Sequence, residues 1–169
     1  MRAVPTRDTI LPRSRRVPSA AIELPRAHVT LRRSVAALRV VPLFDGFTTR
    51  HLRRLAREAD VVQFSAGRPI VEEGQSGEAM FVMLIGTALV VRRGRTVGSL
   101  IPGDFFGELS ALDGGPRTAS VVPETPVEAL RVFRHTLRKM VDEEPALAMG
   151  LLEGLARRIR QVRPSTAIA

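Results

Sequence analysis

The sequence lacks cysteine, tryptophan and tyrosine, and it has only seven phenylalanines. Without cysteine, disulfide bridges and thiolate metal sites are excluded. Without tryptophan or tyrosine there is little to stack on exposed bases, which argues against single-stranded nucleic acid as the ligand. No apolar run approaches the roughly 18 residues that cross a bilayer, and the N-terminus has no apolar stretch typical of a secretory signal. We therefore expect a cytoplasmic protein with no transmembrane segment.

Lysine is scarce as well, since Lys139 is the only one among 26 basic residues, which is typical of a GC-rich bacterial genome. The net charge of +9 is unevenly distributed. Residues 1–34 hold eight arginines against Asp8 and Glu23, and the remaining 135 residues carry a net charge of only +3. Because the body of the chain is nearly balanced, the charge alone does not predict a DNA-binding protein.

The length of 169 residues, with 44% hydrophobic residues, fits one domain with a packed core and an extra segment. Residues 1–34 combine arginine, serine and helix-breaking prolines, and they predict a disordered basic arm. An arm that touches an acidic surface or a membrane is the alternative. The predicted domain covers residues 35–163, and residues 164–169 form a short C-terminal tail.

Helical patterns flank a central region with the pattern of β-strands. A short helix is expected within "SVAALRVVPLFDGF" (34–47), and "TTRHLRRLAREA" (48–59) predicts a second helix capped by Thr48 or Thr49. From Val61 onward, short β-rich runs alternate with glycine, proline or charged turns; they are "VVQF", "PIVEE", "AMFVMLIG", "TALVVRRG", "RTVGSLI" and "VEALRVF". This pattern predicts a mainly β protein, a sandwich or barrel with helices at both ends.

Two further helices are predicted after Phe133, in "RHTLRKMVDEE" and "PALAMGLLEGLARRIRQV". In the last helix, five apolar residues follow a 4, 3, 4, 3 spacing that forms a seam about two heptads long: Ala148, Leu152, Leu155, Ile159 and Val162. Either this face packs on the chain's own barrel, or it forms a homodimer contact. The sequence leaves both interpretations open.

One segment, residues 103–121, is too apolar for a solvated loop, yet it keeps one glutamate, Glu108, and one arginine, Arg117. Residues 107–112 predict a helix of about one and a half turns, too short to be stable alone. Its first backbone N–H groups could bind an anion, and the planar Arg117 guanidinium suits a phosphate. Glu108 could accept hydrogen bonds from ribose hydroxyls. The alternative is that Glu108 and Arg117 pair with each other.

The stretch "PGDFFGELSALDGGPRTASV" (102–121, hereafter the cassette) closely resembles the phosphate-binding cassette of cyclic nucleotide-binding domains. Such domains occur in protein kinase A regulatory subunits, cyclic nucleotide-gated channels and catabolite activator proteins. "VEEGQSGEAMFVMLIGTALVV" (71–91) and "VPLFDGFTTRHLRRLA" (41–56) are similar to the family's hairpins and helical entry, so the resemblance spans about residues 38–162. It implies a β jelly-roll barrel that binds cAMP or cGMP as its ligand, with no metal.

The resemblance also implies a role for each site residue. Glu108, beside the Gly107 backbone, would bind the ribose 2′-hydroxyl, and Arg117 would neutralise the cyclic phosphate with help from the Leu109 and Ser110 backbone amides. Thr118 would permit cGMP without excluding cAMP. The C-terminal helix would move over the base, with Leu152 as a candidate lid. These roles describe a regulatory domain that passes its ligand state to an effector protein in trans.

Three other functions would use a similar domain. A catabolite-activator-like transcription factor would need a recognition helix, but only about "RPSTAIA" follows the last helix, so no DNA-binding module is expected in this chain. An enzyme of the cupin kind would need clustered metal ligands, whereas His28, His51 and His135 are scattered, and no catalytic motif is present. The remaining alternative is a degenerate barrel that acts as a protein–protein interaction module without nucleotide.

Overall fold

The computed structural model describes residues 31–161. Most of the predicted basic arm, with His28, lies outside these residues, as do Val162 of the predicted seam and the tail 164–169. The predictions for those parts stay predictions. No helix in the described range is long and apolar enough to span a bilayer.

The N-terminal part of the domain is helical. Helix α1 (Leu31–Arg39) begins three residues before the predicted boundary at Ser34, and a one-turn 3₁₀ helix (Pro42–Phe44) follows it. Helix α2 (Thr49–Glu58) begins after Thr48, whose hydroxyl accepts a hydrogen bond from the His51 backbone N–H, so Thr48 is the N-cap. Helix α2 buries an apolar face formed by Leu52, Leu55 and Ala56.

Within residues 31–161, seven strands form two antiparallel sheets, and with the flanking helices they give the predicted mainly β fold. The four-stranded sheet has the order β1-β7-β2-β5, and the three-stranded sheet has the order β4-β3-β6. The strands are β1 (Asp60–Phe64), β2 (Ala79–Ile85), β3 (Ala88–Arg92), β4 (Arg95–Leu100), β5 (Phe105–Phe106), β6 (Ser120–Pro123) and β7 (Val127–Phe133).

Two apolar clusters fill the spaces on either side of β2 and β7. Met80, Val82 and Leu130 face the helices, whereas Phe81, Met83 and Ala129 face the second sheet. Since the neighbouring residues of β2 point to opposite faces and both faces are covered, the strand reads as a continuous apolar run rather than as an alternation. The four-stranded sheet is therefore the middle layer, between the helices and the three-stranded sheet.

The predicted strand in "PIVEE" is wrong, because this segment forms a single bridge, Val71 to Val121, instead of a strand. Pro69 has no N–H to donate, the two glutamates are exposed, and the chain turns at Gly74 with positive φ. The two-residue strand β5 was not predicted, because two phenylalanines give no alternation to recognise. Strand β5 pairs with β2 through Phe106 to Phe81 and Phe105 to Val82.

Three helices complete the domain: α3 (Glu108–Asp113) in the cassette, then α4 (Arg134–Glu143) and α5 (Ala146–Gln161). Helix α5 packs on the 3₁₀ helix through glycines. An added Cβ at Gly154 would lie 2.5 Å from Leu43 Cα, whereas one at Gly150 would lie at an ordinary 3.4 Å from Gly46 Cα. The closest backbone approach is therefore at Gly154.

The seam predicted on α5 is mostly not the face that packs on the domain. Leu147 and Leu151 are buried instead, while Leu152 and Ile159 are 59% and 62% exposed. The helix is turned this way because its glycines allow close approach only on the face that carries Leu147 and Leu151. Among the described residues, Met149, Leu152 and Ile159 thus form an exposed apolar row, hereafter the α5 stripe.

Candidate functional site

Within the cassette, β5 turns sharply into α3. Gly107, the residue between them, has φ 77° and ψ 8°, the left-handed conformation that glycine adopts without cost. The next residue, Glu108, is the first of α3, and Gly114 ends the helix in the same left-handed conformation. This pair of turns points the Glu108 side chain inward instead of along the solvent face.

Glu108 is a fully buried carboxylate that accepts no hydrogen bond. Its exposure is 0%, and neither carboxylate oxygen has a hydrogen-bond donor within the described part of the chain. Burial raises the pKa of the Glu108 carboxyl above its ordinary value, and the positive charge of Arg158 opposes this shift. A buried acid without donors is costly to the fold, so this carboxylate is suited to bind hydroxyl donors from a ligand.

Arg117 is also buried, at 7% exposure, and it donates to two backbone carbonyls. Its Nη1 lies 2.9 Å from the Gly107 oxygen, and its Nη2 lies 2.7 Å from the Ala79 oxygen. Burial lowers the pKa of the Arg117 guanidinium below its ordinary value, with Glu108 and Glu78 opposing the shift. The guanidinium thereby connects the start of the cassette to the start of β2.

Glycine makes room for the Arg117 side chain on two sides. A Cβ at Gly77 would collide with the guanidinium, and one at Gly107 would collide with Nη1. The backbone of Arg117 is fixed as well, because its N–H donates to the Gln75 oxygen and its own oxygen accepts from the Gly74 N–H, each at 2.8 Å. The sequence around Gly77 therefore builds the place in which Arg117 lies.

Glu108 and Arg117 do not pair with each other. The ion pair of Glu108 is with Arg158 of α5, whose Nε lies 3.4 Å from Oε1 without hydrogen-bond geometry. Arg158 also stacks on the Phe105 ring, with its Cζ 4.4 Å from the ring centroid. The last helix thus reaches into the cassette through an arginine.

The sequence did not predict a role for Arg158, which lies 50 positions from Glu108. It is one of three arginines close together, Arg157, Arg158 and Arg160, and nothing in the sequence distinguishes it from the other two. The helical period does indicate that Arg158 lies on the buried face. Arg158 follows Leu147, Leu151 and Gly154 at spacings of 4, 3 and 4, so it continues the buried face of α5.

The other predicted site residues lie in or beside α3. Ser110 is buried and Leu109 is half-buried, both within the first turn, where backbone N–H groups have no helical acceptor. Thr118, which directly follows Arg117, is half-buried. Leu152 lies apart, on the exposed face of α5. Arg134 of α4 donates to the Ser110 carbonyl at 3.3 Å, so the end of α3 is connected to the C-terminal helices.

Among the described residues, no group of three or more histidines, aspartates or glutamates could hold a metal ion. His51 pairs with Glu144 at 2.9 Å, and His135 is exposed beside the Phe133 ring. Both histidines lie on helices outside the cassette.

A model of the cyclic nucleotide-binding domain family matches residues 61–144. The chain is 32% identical over 130 residues to a CRP-like cAMP-activated global transcriptional regulator of Mycobacterium tuberculosis, covering 74% of this chain and 58% of the relative. It is 33% identical over 135 residues to a cAMP-dependent protein kinase regulatory subunit of Emericella nidulans, covering 78% of this chain and 31% of the subunit. The chain therefore spans less than two thirds of the length of either curated relative.

Solved structures agree with this similarity. The N-terminal domain of a transcriptional regulator from Streptomyces coelicolor superposes with a TM-score of 0.65 at 30% identity, covering 74% of this chain and 90% of that domain.

Proposed function

This chain belongs to the cyclic nucleotide-binding domain family, and from that premise we propose that it is a sensor domain that binds cAMP or cGMP in its cassette and passes its ligand state to a partner. It is a regulatory domain, not a catalytic one, like the regulators and regulatory subunits it resembles. The nucleotide, the residues that bind it and the output are the proposed parts.

The observation that carries the proposal is the buried Glu108 carboxylate without hydrogen-bond donors. A carboxylate has about four acceptor sites, and leaving them unused in a buried position is destabilising. A ribose 2′-hydroxyl would supply a donor at this point. A degenerate module without nucleotide would gain nothing from keeping such a group, and this favours the sensor over that alternative.

The phosphate would be bound by Arg117 and by the first backbone N–H groups of α3, from Leu109 and Ser110. A guanidinium has five N–H donors, and two carbonyls already occupy one donor on each of the Arg117 Nη atoms. The remaining donors are available to a phosphate oxygen. The two carbonyls hold the guanidinium in place before the ligand arrives, so less conformational entropy is lost on binding.

The base would lie next to Thr118, which permits guanine as well as adenine, so the proposal covers both nucleotides. The output would pass through α3 and Arg134 to α4 and α5, with Leu152 as the candidate lid once α5 has moved. The partner would be an effector protein in trans. A homodimer through α5 is also proposed. A cytoplasmic location remains a prediction.

The test is calorimetric titration of the full 169-residue chain with cAMP and with cGMP. We expect a dissociation constant of about micromolar or lower, and a loss of about a hundredfold or more in Glu108→Ala and Arg117→Ala, because each leaves a buried polar group of the complex unpaired. Arg138→Ala, an exposed arginine on α4, is the control. A folded wild-type protein that gives no heat with either nucleotide would refute the proposal and favour the interaction module.

A further inference from the structure

We propose that Arg158 is a gate residue: in the ligand-free domain its guanidinium covers Glu108, and a ligand hydroxyl must replace it to reach the carboxylate. This inference rests on the proposed function, and it adds an internal competitor for the same site. If Arg158 is such a gate, the nucleotide cannot bind while the last turns of α5 keep their observed position.

The first step is access. Glu108 has 0% exposure, so a ligand hydroxyl cannot contact its carboxylate in the arrangement observed. The charged group on that carboxylate is Arg158, whose own side chain is 22% exposed and therefore runs from the carboxylate to the solvent. Since Arg158 comes from α5 and not from the cassette, it can leave without unfolding the cassette.

The second step is the strength of the contact. The Arg158 Nε is 3.4 Å from Oε1, and its Nη2 is 3.4 Å from the Phe105 oxygen, both near the upper limit of a polar contact. The Nε is buried without a hydrogen-bond acceptor, and both Glu108 oxygens are without a donor. A hydroxyl would give the carboxylate a true hydrogen bond, and the released guanidinium would be solvated.

The third step is what the release would do to α5. Upstream of Arg158, the helix is held by the buried Leu147 and Leu151 and by Gly154 against the 3₁₀ helix. Among the described residues downstream of Gly154, the polar contacts to the rest of the domain are Arg157 with Asp45 at 3.3 Å and Arg158 with the cassette. Because the Arg157–Asp45 pair is exposed and therefore weak, losing Arg158 loosens the last turn and leaves the rest of α5 seated.

The gate has a measurable consequence for affinity. A protein that is competent to bind during only a fraction of the time has its apparent dissociation constant raised by the inverse of that fraction. Removing the Arg158 side chain should remove this penalty. We expect Arg158→Ala to bind the nucleotide roughly fivefold or more tightly than the wild type, the lower range of typical coupling between two sites.

The experiment titrates wild type, Arg158→Ala and Arg157→Ala with cAMP and cGMP. Arg157→Ala is the matched control, since it removes the neighbouring arginine of the same helix and breaks a pair with Asp45 instead of Glu108. Tighter binding by Arg158→Ala alone supports the gate. Equal or weaker binding by Arg158→Ala, with the wild type binding normally, overturns the gate and leaves the proposed function standing. Binding by neither protein rejects both.

Hydrogen exchange without nucleotide gives a second readout that does not depend on affinity. In Arg158→Ala, backbone amides of residues 157–161 should exchange faster than in Arg157→Ala, while those of residues 147–154 keep their protection. Unchanged exchange at residues 157–161 would overturn the gate, because Arg158 would then not hold the end of α5.

Discussion

At Glu108, the proposed role in binding a ligand and the stability of the fold oppose each other. Its carboxylate is fully buried and accepts no hydrogen bond from the described residues, and its pKa is raised by burial. The native state therefore binds a proton at Glu108 more tightly than the unfolded state does. By linkage, the destabilisation from this group is absent at low pH and develops as the pH rises through the native pKa.

Glu108→Gln should separate the two properties. The variant has no buried carboxylate to ionise, so we expect it to be more stable than the wild type, and the gain to be larger at about pH 8 than at about pH 5. Thermal melts of both proteins at the two pH values measure the difference, and titration with nucleotide measures the expected loss of binding. A stability difference that does not change with pH would show that Glu108 has its ordinary pKa in the folded domain.

At the residue scale, the sequence predicted the two buried charges but not their contacts. Glu108 and Arg117 were recognisable because they are the only charged residues between Asp104 and Val121 apart from Asp113. Arg158 was not recognisable, because its ion pair with Glu108, 50 positions away, depends on how α5 packs on the domain. The carbonyl partners of Arg117 were hidden for a related reason, since backbone acceptors have no signature in a sequence.

At the scale of elements, the seating of α5 depends on a glycine. An added Cβ at Gly154 would lie 2.5 Å from Leu43 Cα and 2.7 Å from the Pro42 oxygen, and these backbone atoms cannot turn aside. Gly154→Ala should therefore push α5 outward and cost about 1–3 kcal/mol in the free energy of unfolding.

Gly150→Ala is the matched control, because its Cβ would meet only Gly46, at an ordinary 3.4 Å. Alanine there should be neutral or stabilise the helix by up to about 1 kcal/mol through its higher helix propensity. Urea unfolding of both variants measures the contrast. Equal free energies of unfolding in the two variants would contradict the close packing at Gly154.

Most elements could be predicted from periodicity, and the failures have a local cause. Helices α2 and α4 and strand β7 are long enough for a burial pattern to repeat, and β2 is long enough to be recognised as a continuous apolar run. The segment around Pro69 has β-branched residues, but Pro69 has no backbone N–H to donate and the chain turns soon afterwards, at Gly74. Strand β5 is two residues long, and its pairing with β2 is set by tertiary contact rather than by local sequence.

At the scale of the whole molecule, the open question is what covers the α5 stripe. Met149, Leu152 and Ile159 are each about three fifths exposed. The sequence predicted an apolar row along the last helix. It did not predict that a neighbouring face of the helix, rather than this row, is buried. Which face packs inward was decided by the glycines.

A homodimer through the stripe predicts a concentration-dependent mass. Light scattering of the wild type should give the dimer mass, and Leu152→Glu should give the monomer mass, since a charge placed in an apolar interface is desolvated without a partner. Leu152→Met keeps the site apolar and should remain dimeric. A wild type that is monomeric at high concentration would reject the homodimer and leave the stripe to the effector protein.

The two left-handed glycines that bound α3 also have a genetic consequence. Gly107 and Gly114 both have φ 77°, and a Cβ at either would also collide with an arginine, Arg117 or Arg134. Every missense change at a glycine codon adds a Cβ, so neither codon has a conservative replacement. In a screen for alleles that no longer respond to the ligand, any missense change at codon 107 or 114 should thus abolish the response.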